Sequence, residues 1–144
     1  MIGAVAVALV AAGIAFVVYR LPRPAPATPT SFSATGDLTL TPTNLDAALS
    51  IHMGAPCAGR GGYDDIRAGT DVVVYGPQDE TVGLGRLSPG TGSGSTDHPT
   101  CVFTFTVPNV PVGKQFYSIE VAHRGKLHYT EAQLHADLHL TLGG

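Results

Sequence analysis

The chain has no tryptophan, little charge and only two cysteines. Charged residues make up 13% of its 144 positions, with 8 Lys and Arg against 11 Asp and Glu. A nucleic-acid binder gathers basic residues on one face, and this set does not supply one. A nucleotide loop needs Gly-Lys-Ser/Thr at the end of a glycine run and a helix after it. Both are missing around "GRGG" (59–62), which precedes a strand. The G-x-S-x-G elbow of hydrolases is also missing. Paired carboxylates for glycoside chemistry carry no signal when 11 acids are scattered along a chain. No C-x-x-C pair and no Cys–His neighbourhood points to a thiolate metal site. These absences lead us to expect no enzyme and no cofactor. Without tryptophan, the core has to come from Val, Leu, Ile, five Phe and five Tyr.

Glycine and proline are abundant instead, at 18 and 11. Short strands separated by turns accommodate that composition, and long helices do not. The two cysteines, Cys57 and Cys101, are even in number. In an oxidising compartment one disulfide is the default expectation, worth about 4 kcal/mol for a loop of this length in the chain-entropy view. Two free buried thiols, or a part in a metal site, are the alternatives.

The N-terminus carries a long apolar run. Ile2 to Tyr19 is uncharged, and Arg20 ends it. At about 1.5 Å per residue in a helix, such a run just spans a bilayer core. Residues 1–20 therefore read as a transmembrane signal anchor. Gly3, Ala4, Ala8, Ala11, Ala12 and Gly13 would give it a smooth face suited to another membrane helix. A cleaved signal peptide is the rival, with Ala25-Pro26-Ala27 as the small-residue site. Residues 21–31, "LPRPAPATPTS", form a proline-rich stalk that extends by about 3 Å per residue. Arg20 and Arg23 follow the run, and by the positive-inside rule they favour a cytoplasmic C-terminus. The cysteine pair, the scarcity of lysine and the stalk favour the outside, and that side is the expectation: a single-pass cell-membrane protein with its C-terminal domain extracytoplasmic.

Residues 32–144 show period-two patterning. "DLTLT" places Leu38 and Leu40 on one face, and "ALSIHM" alternates loosely. "TDVVVYG" and "TVGLGRL" read as a hairpin around "PQDE". Ser88 to Thr100 has the composition of a mobile loop. "CVFTFTV" is the clearest strand, with Cys101, Phe103, Phe105 and Val107 facing the core. "FYSIEVAHRGKLHYT" reads as a hairpin with a three-residue loop, His123-Arg124-Gly125, and Gly125 at positive φ. Tyr117, Ile119 and Val121 would then face Tyr129 and Leu127, and Glu120 would lie opposite His128. "DLHLTLGG" closes the chain as a last strand. The expected fold is all-β: an antiparallel two-sheet sandwich of about seven or eight strands with no helix of consequence.

Two resemblances accompany this reading. "NVPVGKQFYSIEV" resembles the strand-turn-strand of transthyretin-like (prealbumin-like) sandwiches, in the wider Ig-like class. Cys57, Gly59, Gly61, Gly62, Tyr63, Asp65, Ile66 and Cys101, followed by "FYSIEVAHRG", resemble the CxGxGGYxDI…C pattern of small membrane-anchored or secreted actinobacterial proteins. The resemblance implies an envelope location and a fold, and no particular chemistry.

Three sets of residues stand out as sites. Gly59, Gly61 and Gly62 would supply positive φ beside the disulfide, with Tyr63 capping the core. Asp64, Asp65 and Asp71 could converge on calcium, or Asp65 could instead tie its own turn. His135, Asp137 and His139 would share the outer face of the last strand and could hold zinc or copper, with His123 and His128 nearby. The plain alternative is a solvated strand face. The function expected is a non-catalytic binding module of the cell envelope, presenting the strand His135–Thr141 and the loop Ser88–Thr100. Its partner would be a membrane protein, an envelope polymer or a small ligand, and not nucleic acid. The alternatives are an accessory subunit of a membrane complex and a metal-binding envelope protein.

Overall fold

A computed structural model describes residues 30–143. The apolar run Ile2–Tyr19 and the segment 21–29 lie outside the described residues. No helix among the described residues is long and apolar enough to cross a membrane.

The described chain is mostly antiparallel β-structure. Its elements are β1 (Ser31–Thr41), α1 (Leu45–Leu49), β2 (Pro56–Cys57), β3 (Asp71–Tyr75), β4 (Thr81–Leu87), β5 (Gly90–Gly94), β6 (Pro99–Pro111), β7 (Phe116–Val121), β8 (Lys126–Thr130), α2 (Glu131–Leu134) and β9 (Leu138–Gly143). All nine strands belong to one hydrogen-bonded network rather than to two separate sheets. The long strand β6 is its hub. One edge of β6 pairs with β1 from Ser31↔Pro111 to Leu40↔Cys101. The other edge pairs with β5 through residues 99–102 and with β4 only at Arg86↔Thr106 and Leu87↔Phe105. Beyond β4 the order runs β3, β7, β8, and β2 hangs from β5. Two arms thus leave β6 and enclose one core. Leu38, Leu40, Phe103 and Phe105 come from one arm, and Val72, Val74, Tyr117 and Ile119 from the other.

The alternating strands fold as their pattern dictates. Cys101, Phe103, Phe105 and Val107 are buried, while Thr104 and Thr106 between them are exposed. The alternation then slips by one, because Val110 is buried as well. An irregularity between Phe32 and Ala34 sets three residues of β6 against two of β1, and Asn109 takes φ 58° within it.

Four expectations fail. First, "ALSIHM" is not a strand: Leu45–Leu49 form a short helix whose N-cap, Asn44, accepts a hydrogen bond from the Ala47 amide at 2.9 Å. A second short helix, Glu131–Leu134, stands where none was expected, and it opens on a capping box between Thr130 and Gln133. Second, β5 runs through the expected loop Ser88–Thr100. A Cβ at Gly90 would lie 2.6 Å from the Cys57 carbonyl and 2.7 Å from the Cys101 sulfur. The glycine that suggested mobility is there because backbone passes so close to the disulfide. Third, β9 pairs with β1 in parallel, from Gly36↔Leu138 to Thr41↔Gly143. β8 runs opposite to β1, and α2 turns the chain round so that β9 leaves in the same direction as β1. Fourth, Glu120 faces Lys126, and it is Ser118 that faces His128. Arg124 N–H donates to the Val121 carbonyl at 3.0 Å, with Ala122 and His123 at φ 50° and 59° and Gly125 at 94°. The turn therefore begins one residue earlier than expected, while Tyr117↔Tyr129 and Ile119↔Leu127 pair as expected.

Candidate functional site

The pairing of β1 with β6 defines two ends. Residue 30 enters beside Pro111, and the disulfide lies at the other end, beside Leu40. Cys57 and Cys101 are bonded across 44 residues with a Cα–Cα distance of 5.9 Å, and Cys101 is fully buried. The segment after Cys57 folds back on itself. Gly59 N–H donates to the Ile66 carbonyl at 2.7 Å, and Ile66 N–H donates to the Tyr63 carbonyl at 2.9 Å. Ile66 plugs the core. Gly61 and Gly62 have positive φ, as expected, but Gly59 does not. A Cβ on Gly59 would sit 3.0 Å from the Ile66 carbonyl oxygen and closer still to that of Tyr63. Gly59 is required by close approach instead.

The residue that organises this loop is Arg124, in the β7–β8 turn. Its Nε donates to Asp65 Oδ2 at 3.1 Å, and its Nη2 reaches Asp65 Oδ1 and the Gly62 carbonyl. The guanidinium stacks 4.8 Å above the Tyr63 ring, whose edge packs on the core. The bond from Arg124 holds the Asp65 carboxyl below the usual carboxylate range, and Asp65 in turn raises Arg124. A neighbouring network repeats the chemistry. Lys126 pairs with Asp79 and lies 3.8 Å from the Tyr75 ring centre, and the Tyr75 hydroxyl donates to Glu120 at 2.9 Å. That bond to a carboxylate pushes the Tyr75 phenol up.

The expected calcium trio does not converge. Asp65 is bound by Arg124, Asp71 lies 3.4 Å from Arg86, and Asp64 borders a separate surface hollow with Asn44 and Arg60. The His135, Asp137 and His139 trio does not share a strand face either. His135 is the C-cap of α2, and its ring stacks on Phe32 at 3.9 Å. Asp137 precedes β9 and accepts from the Thr35 hydroxyl at 2.5 Å. His139 Nδ1 sits 2.5 Å from Asp37 Oδ1 on β1. His128 bonds Ser118 at 2.8 Å. Among the described residues no three His, Cys, Asp or Glu side chains group as a metal site.

An opening lined mainly by apolar side chains lies elsewhere. A groove of ≈ 190 Å³ runs between β8 and β9, walled by Leu38, Ile119, Val121, Leu127, Leu140 and Leu142. Leu127 is 50% exposed in it. Leu45, Leu49 and Met53 are also exposed, at the same end of the molecule, and the two leucines stand one helical turn apart on α1. Sequence reading missed Arg124 and the groove. Arg124 carried one usable signal, a lone cation in a tight turn. The groove carried none, because it exists only where the consecutive strands β8 and β9 stay unpaired and Leu38 of the distant β1 lines the gap.

Comparison with protein-family models, curated proteins and solved structures returned no match to this chain.

Proposed function

We propose that the protein is a non-catalytic binding module of the cell envelope, held by its N-terminal apolar run with the β-domain outside the cytoplasm. The observation that carries this reading is the buried disulfide Cys57–Cys101 in a chain that also bears the uncharged run Ile2–Tyr19. A core disulfide suits an oxidising compartment, and the run suits a bilayer. The exposed apolar residues Leu45, Leu49, Met53 and Leu127 support binding. The first three follow β1 at the end of the domain opposite residue 30, where an anchored domain would present a surface. We read the fold as a sandwich of the transthyretin-like kind. "NVPVGKQFYSIEV" supports this by forming the β6–β7 connection around the buried Tyr117.

The test is topology. The full chain, tagged at its C-terminus, should stay in the membrane fraction after alkaline extraction. Its tag should be cut by protease added outside intact cells. Release by alkaline extraction, or a tag protected until lysis, would overturn the proposal.

A further inference from the structure

The β7–β8 turn is built against its own sequence. Ala122 and His123, its two central residues, sit at φ 50° and 59°, and the Arg124 N–H closes the turn on the Val121 carbonyl at 3.0 Å. A turn with positive φ at both centres calls for Asn-Gly or Asp-Gly, because a Cβ is penalised there. The glycine of this connection, Gly125, stands outside that pair, at φ 94°. The same residues suit a different turn. A three-residue loop His123-Arg124-Gly125 leaves Gly125 alone at positive φ and closes on Ala122 and Lys126. In that hairpin Glu120 faces His128, whereas the observed pair is Glu120↔Lys126. The two registers differ by two residues, about 7 Å along a strand. A shift of two keeps every side chain on its own face of the sheet.

β8 is also free to move. No residue in it is buried, and among the described residues it pairs only with β7, so a shift breaks no second ladder. Contacts from outside the hairpin hold the observed register. Arg124 bonds Asp65 and the Gly62 carbonyl and covers the Tyr63 ring. Lys126 pairs with Asp79 above the Tyr75 ring. Just past Thr130, Glu131 accepts from the Gly113 and Lys114 amides. Moving β8 toward the turn would break all three.

We infer that β8 is a two-register strand: its unstrained register lies two residues toward the turn, and the Arg124 clamp selects the strained one. Lys126 and Leu127 line the apolar groove. The shift therefore carries one wall of the groove along with it, and the clamp couples that wall to the glycine loop. This device goes beyond the binding-module reading and does not rest on it.

The experiment is NMR and amide hydrogen exchange on the full chain in detergent micelles. Arg124→Ala should add a second set of cross-strand contacts, Tyr129 to Ile119 and Leu127 to Val121. It should speed exchange on β8 about tenfold and leave β1 and β6 at their wild-type rates, because the slip is a local opening. Adding Ala122→Asn and His123→Gly gives the observed turn the residues it calls for, and should erase the second set and restore the rates. Placed in the wild type, the same two changes should slow exchange on β8 about tenfold by removing the strain. That arm tests the inference even where Arg124→Ala does not fold. No second set of contacts in Arg124→Ala, exchange raised equally on β1 and β6, or no slowing by the Asn-Gly turn would each overturn the inference. These readings concern the hairpin alone, so they stand apart from the outcome of the extraction test.

Discussion

The two ends of the sheet are closed by different chemistry. At the end away from residue 30, a covalent bond joins β2 to β6, and Arg124 clamps the glycine loop through Asp65. At the end near residue 30, one carboxylate does the joining. Glu131 Oε2 accepts from the Gly113 amide at 2.7 Å, the Lys114 amide at 3.1 Å and the Tyr117 hydroxyl at 3.0 Å. Burial raises the Tyr117 phenol first, and Glu131 adds to that, so the hydroxyl stays a donor. The covalent end acts mainly by restricting the unfolded chain. The carboxylate end acts only in the folded state and is lost with one side chain. The covalent end also carries the exposed Leu45, Leu49 and Met53, so the firmer closure supports the surface proposed to bind.

The largest test of this contrast is Cys57→Ser. It should cost about 4 kcal/mol for the 44-residue loop, read by denaturant unfolding. The wild-type protein should lose a similar amount in reductant, and equal unfolding midpoints with and without reductant would break the comparison at once. Glu131→Ala comes next, at about 2 kcal/mol, because three donors lose a charged acceptor while two of them regain water. A loss equal to that of Cys57→Ser would put the two ends on the same footing. Gly90→Ala should cost about 1 kcal/mol or somewhat more through overpacking against the disulfide. A neutral result would mean that β5 has room to move. The smallest effect belongs to Asp65→Asn, below about 1 kcal/mol because the pair is substantially exposed. Its pH dependence sharpens the point. Arg124 depresses the folded-state pKa of Asp65, so the stabilisation is complete above the ordinary carboxylate pKa and is lost as pH falls through the folded value. Wild type and Asp65→Asn should therefore differ at neutral pH and converge in acid. The Cys57→Ser deficit should persist at both.

Much of the strand inventory was legible, because alternation is local. "CVFTFTV", "DVVVY" and the Tyr117–Tyr129 hairpin each announce a buried face within a few residues. The two short helices had readable caps, Asn44 ahead of "LDAAL" and Thr130 three residues before Gln133, which the looser alternation around them obscured. The site was less legible. Asp64, Asp65 and Asp71 are near in sequence, yet their carboxylates go to different partners or to none. His135 and His139 keep the spacing of one strand face, yet His135 caps the end of α2 and only His139 lies in β9.

The sequence by itself determined the β class, the inward faces of its main strands, the cysteine pair available for bonding and the apolar run at the N-terminus. Each of these depends on neighbours a few positions apart or on a simple count. Tertiary structure alone decided that β9 lies parallel to β1, that glycines 90–94 make a strand, that Arg124 finds Asp65 across 59 residues, and that β8 and β9 stop short of pairing. These depend on which distant segments meet. The competition among possible partners for each edge is settled by packing over the whole core, and no local pattern records its outcome.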